Sequence, residues 1–175
     1  MSPQESFDRL ATTLTGYRTA LDRYSDEQFF HKPAADVWSL GQLYEHLAVS
    51  STYYFLANIK RCLEQRKGQE GGAMNANAEQ VYANNGFPPI KIKVPQEIRG
   101  PEPVAQSREA YKVLFSQLLH DAAAFVEPVA QDAGQYKTLH PPFGYLNAAE
   151  WFRLLEMHTR HHLRQQKELE ALVAA

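Results

Sequence analysis

A chain of 175 residues, 44% hydrophobic and 11% aromatic, is long enough to form one domain around a buried core. Its formal charge of −2 and pI near 6.4 leave no excess of Lys and Arg, which argues against a nucleic-acid backbone or an anionic membrane as partner. No apolar run reaches the roughly 18–20 residues that span a bilayer. The single cysteine, Cys62, has no intramolecular partner, and MSPQESFDRL lacks the basic and apolar stretches of a signal peptide, so the expectation is a soluble, cytoplasmic protein.

Phe7, Leu10, Leu14, Tyr17 and Leu21 recur at helical spacing and predict a first amphipathic helix over about 6–24, ending near SDEQ. FFHKPAADVWSL contains Pro33 and no sustained period. It delivers Ser39 as N-cap of a second helix that runs to about residue 66 and carries His46. On that helix Tyr53 reads as core, and Glu45, about 100° from His46 on the wheel, reads as solvated. Cys62, in KRCLEQRK, has basic neighbours that can lower a thiol pKa, although an inert, partly buried thiol is the plainer expectation.

Between residues 67 and 106 the character changes. GQEGG and NNG break helix, five prolines follow from Pro88 to Pro103, and Ile90, Ile92 and Val94 alternate as in an extended segment. This long connection keeps Phe87, Ile90, Ile92 and Ile98, which would let it pack on the bundle or cover a site. A third helix over 107–126 places Tyr111, Leu114, Phe115, Leu118 and Phe125 on one face and His120 on the opposite, solvent face. A loop with HPPFG leads to a fourth helix over 147–173, with Glu150 in its first turn and Trp151 in its core stripe. The fold expected is all-α, a four-helix bundle whose long connection permits helices 2 and 3 to run parallel.

The fourth helix contains His158-Thr159-Arg160-His161-His162. Residues four apart differ by only about 40° around a helix, so His158 and His162 project side by side. The mean direction of Trp151, Leu154, Leu155, Leu169, Leu172 and Val173 lies about 13° from His158 and about 27° from His162, but about 73° from His161. His161 is therefore a boundary residue, whereas the other two point into the core. His46 points inward too, on a face with Leu43, Ser50, Tyr53 and Ala57. Each of these histidines, taken alone, could be a hydrogen-bonded core residue. Together, three inward imidazoles on two helices suit one divalent ion, Zn²⁺, Ni²⁺, Fe²⁺ or Mn²⁺, with a coordination position left open for chemistry. HExxH, CxxC and ExxH pairs, the marks of other metal sites, do not occur.

Three segments resemble the DinB-like superfamily, also called the DinB/YfiT-like metalloenzymes: WSLGQLYEHL at 38–47, HPPFGYLNAAEW at 140–151 and HTRHHLRQ at 158–165. The resemblance runs over nearly the whole chain as a single domain. It implies an up-down-down-up four-helix bundle with a metal on one histidine of helix 2 and two of helix 4, at positions that match His46, His158 and His162 here. The family's closing glutamine corresponds to Gln165, which the wheel also turns inward, about 20° from His158, where it could orient a ligand or a metal-bound water.

The superfamily includes metal-dependent transferases and isomerases that use low-molecular-weight thiols, so the resemblance implies a small-molecule substrate, such as a thiol activated at the open metal position. Two functions are expected from this: a metal-dependent thiol transferase or hydrolase, or a non-catalytic metal- or ligand-binding stress-response module of the same fold. A homodimer is expected in either case.

Overall fold

Four helix starts are written into the sequence as reciprocal caps. Ser2, Ser25, Ser39 and Asn147 each accept from the backbone N–H three residues on, and Glu5, Gln28, Gln42 and Glu150 accept the N–H of the cap residue. Each box satisfies two backbone donors that a helix start would otherwise leave open. The structure, a computed structural model, describes residues 1–88 and 101–174. In chain order come α1 (Pro3–Ala20), a 3-10 turn at Leu21–Arg23, and the short α2 (Asp26–Phe30). Next, α3 (Leu40–Val49), a π-helical stretch (Ser50–Leu56) and α4 (Ala57–Leu63) succeed one another without a break. Beyond them lie β1 (Gln69–Glu70), α5 (Ala76–Ala83), α6 (Arg108–Gln131), β2 (Tyr136–His140), β3 (Gly144–Leu146) and α7 (Ala148–Val173).

The four long helical segments form the bundle. α1 packs on α6 and α7, and the rod made by α3, the π stretch and α4 packs on the same two helices. The core between them is aromatic: Tyr17, Tyr44, Tyr111 and Phe115 are fully buried, with Tyr44 stacked on Phe115 at 5.6 Å and edge-on to Tyr17 at 5.5 Å. Buried phenols need partners. The Tyr44 hydroxyl donates to the Tyr17 carbonyl at 2.8 Å, and the Tyr17 hydroxyl donates to the Thr159 carbonyl at 3.2 Å, tying α3 to α1 and α1 to α7.

The helical expectation is met, with additions. A three-stranded antiparallel sheet, in the order β1-β2-β3, caps one side, so the chain is mostly rather than purely α. Its β2–β3 hairpin turns through Gly144 at φ +85°, where a Cβ would stand 2.7 Å from the Ala73 carbonyl oxygen; glycine is what lets the strand approach that closely. The sequence between 67 and 106 is not loop throughout. Asn75 caps α5, whose Ala78, Val81 and Tyr82 are buried, an eight-residue helix too short for its period to stand out. Ile90, Ile92, Val94 and Ile98 lie outside the described residues. α6 continues past Val126 and through Pro128 to Gln131, because Val129 extends its buried stripe. Of the positions read as core on α6 and α7, two are exposed: Leu114 at 37% and Leu172 at 51%. Among the described residues no helix is long and apolar enough to cross a membrane.

The π stretch accounts for the largest misreading. A wheel at 100° per residue turns Tyr53 inward, yet it is 74% exposed. Wider π winding rotates everything after Ser50, so Tyr54 and Phe55 face α7 in its place.

Candidate metal centre

His46 lies in the last turn of α3, and His158 and His162 lie one turn apart in the middle of α7. Packing of these two helices brings the three rings edge to edge. The Nε2 atoms stand 3.2 Å (His46–His158), 3.1 Å (His46–His162) and 3.2 Å (His158–His162) apart. Nitrogens bonded at about 2.0–2.1 Å to one tetrahedral or octahedral ion are roughly 3.0–3.4 Å from each other, so this nearly equilateral triangle has ligand spacing. Among the described residues it is the only cluster of His, Cys, Asp or Glu arranged to hold a metal.

Protonation agrees with the geometry. Burial lowers His46 to about 4 and His162 to about 3, the latter also opposed by the nearby His46. His158 is held well below its ordinary value by burial first and then by His162 and His46. At neutral pH all three rings are uncharged and can present lone pairs. For His162 the tautomer is set by its partner: Nδ1 lies 2.8 Å from Gln165 Oε1, an oxygen that can only accept, so Nδ1 carries the proton and Nε2 the lone pair. The donor set, its spacing and its charge state therefore fit a divalent cation.

Aromatic rings close the sides. Trp38 lies 5.2 Å from the His46 ring and Phe55 4.9 Å from that of His158. His161 turns away from the triangle and packs on Phe87 at 5.1 Å, which places it at the boundary expected from the wheel. Two turns along α7, Trp151 meets Tyr54 at 5.3 Å and His140 at 5.1 Å, and Phe143 stacks on His140 at 4.7 Å. The HPPFG segment thus packs beside the site's α7 stripe as part of the β2–β3 hairpin.

The remaining candidates have plainer roles. Glu150 completes the cap of α7, Trp151 is core and His120 is exposed. Glu45 is not simply solvated: half-buried, it accepts from the Tyr111 hydroxyl at 2.8 Å and Gln106 Nε2 at 3.1 Å. Cys62 is buried against Thr138 and Leu146, and burial raises its thiol pKa, so its basic sequence neighbours do not activate it. Sequence reasoning did not single out Trp38, Phe55, Tyr54 and His140 as site neighbours. Trp38 and His140 stand within WSLGQLYEHL and HPPFGYLNAAEW, whereas Tyr54 and Phe55 are hidden by the π winding.

The DinB superfamily profile matches residues 9–166. YfiT from Bacillus subtilis, described as a probable metal-dependent hydrolase with an unusual four-helix bundle topology, is similar in structure with a TM-score of 0.62. The two are 15% identical over 97% of this chain and 86% of that one, a likeness that shows the fold. No curated protein matches the sequence. With the profile covering nearly the whole chain, this protein belongs to the DinB superfamily.

Proposed function

We propose that this protein is a metal-dependent enzyme that holds one divalent ion on His46, His158 and His162 and acts on a small molecule at the ion's open position. The observation that carries this reading is the triangle of three neutral Nε2 atoms 3.1–3.2 Å apart, one of them already fixed in its lone-pair tautomer by Gln165. An ion bound there would supply Lewis-acid chemistry, making a water or thiol nucleophilic at neutral pH. The chain's own residues do the rest. The three imidazoles bind, Gln165 accepts the His162 Nδ1–H and keeps that ring oriented, and Trp38 and Phe55 cover the ring faces and keep water from them.

Hydrolysis stands ahead of thiol transfer within this reading, because the solved relative is described as a hydrolase and a water nucleophile needs no recognition group of its own. The assay is zinc-, nickel-, iron- or manganese-loaded protein against a panel of small esters and amides, with thiol conjugation measured in parallel. Metal-dependent turnover that disappears in a His158→Ala, His162→Ala double variant is the expected result. A variant that turns over as fast as the parent would overturn the assignment.

Two structural features complete the proposal. The helices run up-down-down-up, which the long connection between α4 and α6 allows. The protein works as a homodimer, for which Val49 and Tyr53, exposed one turn apart on the α3 rod, offer apolar surface. Light scattering should give twice the 19.9 kDa chain mass; a monomer mass at assay concentration would refute it.

A further inference from the structure

Among the described residues, five buried side-chain atoms lack a hydrogen-bond partner: Arg18 Nε, Ser51 Oγ, His140 Nδ1, Trp151 Nε1 and His158 Nδ1. Folded proteins leave few such groups, and each calls for an explanation. Three of these five, Ser51, Trp151 and His158, lie on α7 and the π stretch, which pack on each other. The His158 ring lies 5.1 Å from the His46 ring and 4.9 Å from the Phe55 ring, so it covers the part of the rod between residues 46 and 55. Ser51 falls within that part and its side chain is fully buried.

Ser51 also behaves unlike the other two buried hydroxyls inside helices, Ser6 and Thr159. Ser6, Thr12, Ser50, Ser116 and Thr159 each donate back to the carbonyl four residues earlier, the usual resting place for such a group. Ser51 makes no such bond, so its oxygen is available to another partner. His158, if it ligates through Nε2, must carry its proton on Nδ1 and needs an acceptor there. Metal-bound histidines nearly always have one, and His162 has its own in Gln165.

We propose that Ser51 is a positioning residue of the metal centre: with an ion bound, its hydroxyl oxygen accepts the Nδ1–H of His158, a bond the two groups do not make as they stand here, and so holds Nε2 toward the ion. The inference rests on the reading of the triad as a metal site.

The test compares wild type, Ser51→Ala and Ser51→Thr by zinc competition with a chromogenic chelator, together with the melting temperature of each metal-free protein. Ser51→Ala should bind zinc at least about tenfold more weakly while its metal-free melting temperature holds or rises, since a buried hydroxyl without a partner has been removed. Ser51→Thr, which keeps the oxygen, should recover most of the affinity. In zinc-loaded wild type, without any substitution, the His158 Nδ1–H should appear by ¹⁵N-edited NMR as a slowly exchanging proton, and in Ser51→Ala it should exchange faster. Equal zinc affinity and equal Nδ1–H exchange in Ser51→Ala and wild type would overturn the Ser51 role alone. Failure of wild type itself to bind zinc would overturn the triad reading and the Ser51 role with it.

Discussion

Gln165 does for His162 what a free imidazole in water cannot do for itself: it selects a tautomer. With Nδ1–H committed at 2.8 Å, Nε2 is a lone pair aimed at its two neighbours. Gln165→Leu removes that constraint with little change in volume, and metal affinity should fall by roughly 10- to 100-fold in a calorimetric titration while the far-UV spectrum stays unchanged. The same residues set a pH dependence. His46 and His162 are lowered to about 4 and about 3 in the folded chain, against 6.5 in the unfolded one. As pH falls below about 6.5 the unfolded state takes up protons first, so the native state loses stability between there and about pH 4 to 3, and keeps it in full above. The melting temperature of metal-free protein should therefore be level above pH 7 and fall by several degrees by pH 4.5. In a His46→Gln, His162→Gln variant the fall should be clearly shallower, with His158 and His140, which burial lowers in the same way, carrying the remainder; an unchanged pH profile would show that these rings are not the titrating groups.

α7 and the α3 rod differ in how plainly their faces can be read. α7 is a regular helix from Ala148 to Val173, so a wheel at a constant angle separates His158 and His162 from His161 correctly. The rod keeps α winding only as far as Val49, which is enough to place His46 but not the residues from Ser50 onward. No local composition marks Ser50–Leu56 as π; the winding arises from packing the rod against α7, and sequence periodicity does not register it. The same limit hid α5 and the small sheet, whose segments are too short to show a period and whose order comes from contacts with α4 and α7. A pair of substitutions tests the π register. Tyr53→Ala should change stability by no more than about 0.5 kcal/mol, whereas Tyr54→Ala, which strips the ring from Trp151 and His140, should cost about 2 kcal/mol or more. A wheel with α winding throughout predicts the reverse order in denaturant melts.

Across the whole molecule, the bundle is joined to the end of α5 and the turn that follows it by two arginines of α7. Arg153 Nη2 donates to the Tyr82 carbonyl at 2.6 Å and to Asn85 Oδ1 at 3.0 Å, while Arg160 reaches the Asn85 carbonyl at 2.7 Å. Arg160 also pairs at 2.6 Å with Glu156, a carboxylate with no exposed surface. Arg160→Ala strands that carboxylate and should cost about 2 kcal/mol in urea unfolding, less than a fully buried pair because the guanidinium is 37% exposed. This clamp sets Phe87 against His161, beside the triad. Every functional role assigned to the bundle depends on whether that triad takes an ion. Isothermal titration of metal-free protein with Zn²⁺, wild type beside the His158→Ala, His162→Ala variant, addresses that claim directly. It should give one equivalent bound by wild type and none by the variant; no binding by wild type, or equal binding by both, would contradict it.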